Sequence, residues 1–318
     1  MKALFFTDYG PEKMAKVKAL GIDPVFVDEF ALGKNGVTYD GSHNDAEIIV
    51  GFNPFPNVDI DKFPNLKFIQ LVSVGFNHVP KDKITPRGIL LCNNVGTTRF
   101  PISEWVMTGI LNICKNTRFF YDMQKEKRWQ GNEDMLELAG KKVTFLGAGN
   151  IASETARKLK AFDAVTMALN VNEDPVPHMD RVIHIDKIEE ILPESDIVIS
   201  ALPATKDTFH MLNEKRLNLM KQGSILVNIS RGTVIDEQAL VKVIKTGKFR
   251  GVALDVFEKE PLPQDSELWT LPGVIVTPHN AIFSDLYYDR VFDMVYENLR
   301  RYVNGEKTAN IVDFARGY

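Results

Sequence analysis

Between residues 142 and 277 the chain repeats one pattern: a short apolar run, rich in β-branched residues and closed by turn residues, then a stretch of helical period. The runs are 142–146, 164–169, 196–200, 224–229, 251–255 and 274–277. Short runs of this kind read as central strands of a parallel sheet, buried on both faces. Six of them with helices between match a doubly wound α/β sheet. This pattern also places any ligand, because in open parallel sheets the crevice lies beyond the carboxyl ends of the strands.

The first of these strands leads into Gly147-Ala148-Gly149-Asn150-Ile151-Ala152, and a helical run follows through Lys160. This is G-x-G-x-x-A between a strand and a helix. The first glycine permits a tight turn, the second lets a pyrophosphate approach the backbone, and the small third residue lets the helix close on the sheet. Gly147, Gly149, Asn150 and Ile151 are therefore candidate phosphate-binding positions, with the helix N-terminus offering unpaired N–H groups. A glycine turn alone is common and mostly structural; the strand before it and the helix after it carry the inference. The end of the next strand, where an acid would bind the ribose 2′-hydroxyl, holds Asn170. Asparagine bonds a hydroxyl without repelling a 2′-phosphate, so the expected coenzyme is NADP or NAD, with a lean to NADP.

The first hundred residues show a second alternation. Strand-like runs cover 2–7, 24–27, 47–50, 68–73 and 89–92, with a helical segment over 11–20. They imply βαβ units and a small parallel sheet. A long helical pattern runs over 101–125, with Pro101 where a missing N–H is harmless. The closing segment, 285–303, has helical period and is placed to return to the first domain, which makes that domain discontinuous.

At 318 residues the chain has room for two cores. A hydrophobic content of 44%, with 25% charged residues, is ordinary for a globular protein. The formal charge of −4 and the lack of a basic cluster argue against a nucleic-acid footprint. The first residues make too short an apolar run for a signal peptide, and no stretch is long enough to span a bilayer. Cys92 and Cys114, both in apolar contexts, form neither a disulfide framework nor a metal site. The expectation is a cytoplasmic chain without metal, nucleic-acid or membrane partners.

Three polar signals follow the last three strands. Arg231 closes 224–230, Asp255 and then Glu260 follow 251–254, and His279 follows 274–278. Each has a plain structural reading: a surface ion pair, a solvated loop, a hydrogen-bonded turn histidine such as His43, His78, His178, His184 and His210. Together, on one sheet edge downstream of the glycine loop, they form an acid–base and anion-binding set. Hydride transfer to a carbonyl needs a proton donor for the developing alkoxide, and histidine titrates near neutrality. A neighbouring carboxylate favours the imidazolium and orients the ring. An arginine polarises the carbonyl and holds a carboxylate in its planar fork. These needs describe reduction of a 2-oxo acid to a 2-hydroxy acid.

Here the residues resemble a known family. Asn228-Ile229-Ser230-Arg231-Gly232-Thr233-Val234-Ile235-Asp236, then Leu254-Asp255-Val256-Phe257-Glu258-Lys259-Glu260-Pro261-Leu262-Pro263, then Thr277-Pro278-His279, look like the D-isomer-specific 2-hydroxyacid dehydrogenases. Leu202-Pro203-Ala204-Thr205 with Thr208 is similar to the family's turn beside the cofactor. Pro261-Leu262-Pro263, Leu268-Trp269 and the Ala315-Arg316-Gly317-Tyr318 end look most like the glyoxylate/hydroxypyruvate reductase branch.

The resemblance implies a Rossmann cofactor domain, 100–284, inserted in a smaller flavodoxin-like substrate domain, 1–99 with 285–318. It also implies a cleft that closes on substrate and a homodimer built on the 101–125 helix. Arg231 would bind the substrate's carbonyl and carboxylate, Glu260 would tune His279, and His279 would donate the proton. Leu202, Pro203, Thr208, Ile229, Ser230, Asp255 and His279 would line the cofactor, with Asp255 at the nicotinamide carboxamide. Val74 and Gly75, in Ser73-Val74-Gly75-Phe76-Asn77-His78, would grip the substrate carboxylate through backbone N–H groups, with Gly51 to Pro56 facing the same cleft. The chain departs from the pattern at Asn170, at Asn77 where an Asp is common, and at Asn280 where many members carry a small apolar residue. The alternatives are a nucleotide-sensing corepressor-like binding protein on the same fold, and another Rossmann oxidoreductase such as a formate dehydrogenase. Glu260, in place of a glutamine, speaks against the latter.

Overall fold

Five short parallel strands form the first sheet: β1 (Lys2–Phe5), β2 (Asp23–Phe26), β3 (Ile48–Gly51), β4 (Phe68–Leu71) and β5 (Leu90–Cys92), in the order β2-β1-β3-β4-β5. Every residue of the central β3 and β4 is buried, as their unbroken apolar character requires. Helix α1 (Gly10–Ala19) carries Pro11 in its first turn, and a single-turn helix α2 (Lys81–Ile84) precedes β5. The computed structural model describes residues 1–29, 31–32, 39–76 and 78–314. Asn77 and Ala315-Arg316-Gly317-Tyr318, both singled out in the sequence, lie outside the described residues.

The 101–125 segment is two helices and not one. Helix α3 (Arg99–Cys114) ends before Asn116, whose φ of 48° is left-handed, and α4 (Thr117–Lys125) begins after it. Asparagine adopts that conformation more readily than most residues, so the period continues across a real break. The second sheet then runs through β6 (Lys142–Leu146), α5 (Asn150–Lys160), β7 (Val165–Asn170), β8 (Arg181–His184), α6 (Ile188–Ile191), β9 (Ile197–Ser200), α7 (Glu214–Leu219), β10 (Ser224–Asn228), α8 (Glu237–Lys245), β11 (Phe249–Leu254) and β12 (Val274–Val276). All seven strands are parallel, ordered β12-β11-β10-β9-β6-β7-β8. The sequence pattern predicts six strands; the seventh, β8, is an edge strand in which Ile183 alone is buried. Edge strands face water, so β8 carries too little apolar signal to be read.

Alternation along each strand sorts side chains onto two layers. Ile225, Val227 and Ala253 join α3 and α5 in one core, through Val106, Ile110, Ala152, Ala156 and Leu159. Leu226, Val252 and Leu254 join α6, α7 and α8 in the other, through Ile191, Leu217, Leu240 and Val243. Helices therefore cover both faces. The order reverses between β6 and β9, where a ligand crevice is expected.

The chain's internal contacts define two compact units, Met1–Thr97 with Ser284–Tyr318, and Thr98–Phe283. Helix α9 (Tyr287–Val303) belongs to the first. Its buried residues, Tyr287, Val291, Phe292, Val295, Asn298 and Leu299, follow helical spacing and form one stripe. Asn298 is the polar member: its Nδ2 donates to Gln70 Oε1 of β4 (2.7 Å) and to Ala309 O (3.1 Å), and its Oδ1 accepts from Ala309 N–H (2.8 Å). This satisfied buried network sews the C-terminal segment to the first sheet. Among the described residues, no helix is long and apolar enough to cross a membrane.

Candidate active site

The glycine loop has the shape its sequence requires. Gly147 has φ of 96°, and a Cβ there would lie 2.8 Å from Ala201 O, so only glycine fits. Gly149 stands at the N-cap of α5 with no atom within 4 Å of a Cβ position. That open side, beside the N–H groups of Asn150 and Ile151, has room for a pyrophosphate. Ala152 is fully buried and lets α5 close on the sheet. These residues fit a dinucleotide. Asn170 is the last residue of β7, and its Nδ2 donates to Asn172 Oδ1 (2.7 Å), whose own Nδ2 donates to Asp174 Oδ2 (2.6 Å).

In the Leu202–Thr208 turn, Thr208 Oγ1 donates to Pro203 O (2.6 Å) and accepts from Thr205 N–H (2.8 Å). Thr208 is buried and acts on the turn itself. At the end of β10, Asn228 organises its neighbours: Oδ1 accepts from Ser230 N–H (3.1 Å) and Ser230 Oγ (2.7 Å), and Nδ2 donates to Arg231 O (3.2 Å). Ile229 and Ser230 are buried. Arg231 reaches the surface, yet enough protein surrounds it that burial lowers its pKa, against the pull of the Glu260 carboxylate. Arg231 Nη1 donates to Ser230 O (2.7 Å).

Glu260 and His279 meet directly. Glu260 Oε2 lies 2.8 Å from His279 Nδ1, and Glu260 Oε1 accepts from Phe257 N–H (2.9 Å). A carboxylate oxygen accepts, so in this pair the ring nitrogen Nδ1 is the donor. His279 has φ of 50°, a strained backbone for a residue with a side chain. Asp255 holds it there. Its Oδ1 accepts from Thr277 Oγ1 (2.5 Å) and Asn280 N–H (3.1 Å), and its Oδ2 from Ala281 N–H (3.0 Å). With 2% exposure and both oxygens engaged, Asp255 clamps the His279 turn. The same clamp gives Asn280 a structural task for its backbone.

Two features escaped the sequence reading. Gly232, next to Arg231, lies flat against the backbone of the Glu260 loop: a Cβ there would fall 1.8 Å from Phe257 C. The sequence shows a glycine at that position but not the strand end it touches. His210, read as a turn histidine, bonds Glu258 in that loop (2.8 Å). In the first unit, Ser73 Oγ donates to Gly75 O (2.8 Å) and Asn93 Nδ2 to Val74 O (2.9 Å), which fixes the loop. Among the described residues, neither the Val74 nor the Gly75 N–H has a protein acceptor.

Fold and glycine loop together fit a dinucleotide-binding protein. Residues 107–281 match the model of the D-isomer specific 2-hydroxyacid dehydrogenase NAD-binding domain. The chain is 34% identical over 266 residues to a glyoxylate reductase of Thermofilum pendens, covering 80% of this chain and 77% of that one. Two solved structures are also similar. A D-isomer specific 2-hydroxyacid dehydrogenase from Xanthobacter autotrophicus Py2, in complex with NADPH and MES, has a TM-score of 0.82 at 25% identity, over 100% of this chain and 99% of that one. A D-lactate dehydrogenase from Aquifex aeolicus, complexed with NAD and lactic acid, has a TM-score of 0.74 at 27% identity, over 96% of each. The chain belongs to the D-isomer-specific 2-hydroxyacid dehydrogenase family. It is an NAD(P)-dependent enzyme acting between 2-oxo and 2-hydroxy acids, and a corepressor-like role is not favoured.

Proposed function

We propose that the chain reduces a small 2-oxo acid of the glyoxylate or hydroxypyruvate kind to the D-2-hydroxy acid. The observation that carries this reading is the Glu260–His279 bond of 2.8 Å, beside Arg231 and on the sheet that begins with the glycine loop. Gly147, Gly149, Asn150 and Ile151 would hold the coenzyme, with Asn170 toward its ribose, and the coenzyme would supply the hydride. His279 Nε2 gives its proton to the carbonyl oxygen, so one hydride and one proton add across C=O. Glu260 holds the ring and balances the charge it carries. Arg231 polarises the carbonyl and pairs with the carboxylate. Asp255 and Thr208 act as positioning residues for the His279 turn and the 202–208 turn. The first unit serves as substrate domain and the second as cofactor domain. Following NAD(P)H oxidation against a panel of 2-oxo acids tests the reading; turnover is expected with the smallest members, and none with any acid would overturn it.

Coenzyme choice leans to NADP. Asn170 lacks the charge that repels a 2′-phosphate, and its Oδ1 is left to accept from a ribose hydroxyl, though Asp174 stands two hydrogen bonds away. We expect kcat/KM with NADPH to equal or exceed that with NADH. Asn170→Asp should move the ratio toward NADH by on the order of 10-fold, ~1.4 kcal/mol. A wild-type enzyme that strongly prefers NADH would sink this assignment.

A homodimer is proposed on α4. This helix buries no residue within its own chain, and Phe120 and Tyr121 are exposed, with Trp129 wholly so just beyond its end. Exposed aromatics grouped in this way are the material of a protein interface. Sedimentation should give a dimer, and Phe120→Asp with Tyr121→Asp should give a folded monomer; a monomeric wild type would refute the claim. Two buried, unpaired cysteines, Cys92 and Cys114, accord with the cytoplasm as its compartment.

A further inference from the structure

Two residues before Glu260, the Glu258 carboxylate joins segments that are far apart in sequence. Its Oε1 lies 2.8 Å from His210 Nε2 and accepts from Glu237 N–H at the start of α8 (3.0 Å). Its own N–H donates to Glu237 Oε2 (3.1 Å). His210 reaches onward: its N–H donates to Thr233 O (2.8 Å), inside the turn that begins at Arg231. It also follows directly on the 202–208 turn, where Met211 N–H donates to Thr208 O (3.2 Å). The imidazole stacks on Phe209, with centroids 3.9 Å apart, and its φ of 47° sets it in a left-handed turn. Asp236, whose Oδ1 caps α8 through Ala239 N–H (2.9 Å), faces His210 Nδ1 at 4.0 Å.

This arrangement is more than a surface ion pair. Burial raises the Glu237 pKa, the Glu258 N–H draws it back down, and the like charge of the Glu258 carboxylate pushes it up. Such a contact persists where other bonds hold it, and here the imidazole and an α8 N–H do so. The bonds converge on the loop that carries Glu260 and the turn that carries Arg231. We propose that His210 and Glu258 are a positioning pair, holding these two segments in register so that Glu260 meets His279. The proposal rests on the reading of Arg231, Glu260 and His279 as the reacting set. A reacting group must sit within about 0.5 Å of its productive place, and a displacement of about 1 Å costs on the order of 100-fold in rate.

The test compares Glu258→Ala, Glu258→Gln and His210→Asn with wild type, measuring kcat and KM for glyoxylate reduction and checking fold by circular dichroism. Asparagine tolerates the left-handed backbone at 210 but is too short to reach Glu258, so His210→Asn reports even if Glu258→Ala does not fold. Expected is a fall in kcat of roughly 10- to 100-fold with KM nearly unchanged in Glu258→Ala and His210→Asn. Glu258→Gln, which keeps an acceptor for both partners, should recover most of the rate. The double variant Glu258→Ala with His210→Asn should lose no more than the worse single variant, because the pair acts as a unit. Folded variants with wild-type kcat, losses that add, or a Gln variant as poor as Ala would each overturn the proposal. If His279→Ala is itself as active as wild type, the reading of the site fails; if His279→Ala is inactive and His210→Asn keeps the wild-type kcat, the positioning pair alone fails.

Discussion

Replacing His279 by Ala lowers kcat/KM for 2-oxo acid reduction by about 100- to 10,000-fold. Hydride addition leaves a negative oxygen, and in the proposed mechanism the imidazole bonded to Glu260 protonates it. Because the proton moves in the transition state and not on binding, kcat should fall with kcat/KM. Arg231→Ala should cost a comparable factor with a different split, since the guanidinium binds the ground-state carboxylate as well as the developing charge, and KM should rise alongside. Steady-state kinetics on both variants decides the matter, and if both stay near wild type the proton-transfer scheme is wrong. Glu260→Gln is the milder case, because an amide oxygen still accepts from Nδ1 while the charge is lost.

Gly232→Ala is expected to be the most destabilising single methyl in the site. A Cβ would overlap the Phe257 carbonyl carbon at 1.8 Å and its oxygen at 2.1 Å, and both are backbone atoms that no rotamer change moves. Overpacking of this kind costs about 3 kcal/mol or more. The damage is also placed where it matters, because the Phe257 N–H donates to Glu260. Denaturant unfolding should show a large fall in midpoint, and any folded fraction should turn over slowly. A variant with unchanged midpoint and rate would show that the two loops separate freely.

Arg231, Glu260 and His279 were legible because each follows a strand whose apolar run is hard to mistake. Position at the end of a parallel strand is nearly position at the crevice. Asp255 shows the limit of that logic. Its place after β11 reads as a ligand position, and the sequence does not reveal that both oxygens also bond residues 277–281, a contact between segments more than 20 residues apart. His210 shows the same limit from the other side, since nothing near it in sequence reveals Glu258. The missed strand β8 and the break at Asn116 fail for local reasons: an edge strand needs few apolar residues, and helical period does not register one left-handed residue.

By itself the sequence determined the two parallel sheets, the glycine turn and the three residues proposed as the reacting set. These follow from periodicity and from residue chemistry, which act over a few neighbours along the chain. Tertiary structure decided which partner each carboxylate has: Glu260 the imidazole of His279, Asp255 the backbone of that turn, Glu258 the imidazole of His210. Hydrogen-bond partners are chosen by distance in space, and a carboxylate is the same chemical group at all three positions until folding supplies its neighbours.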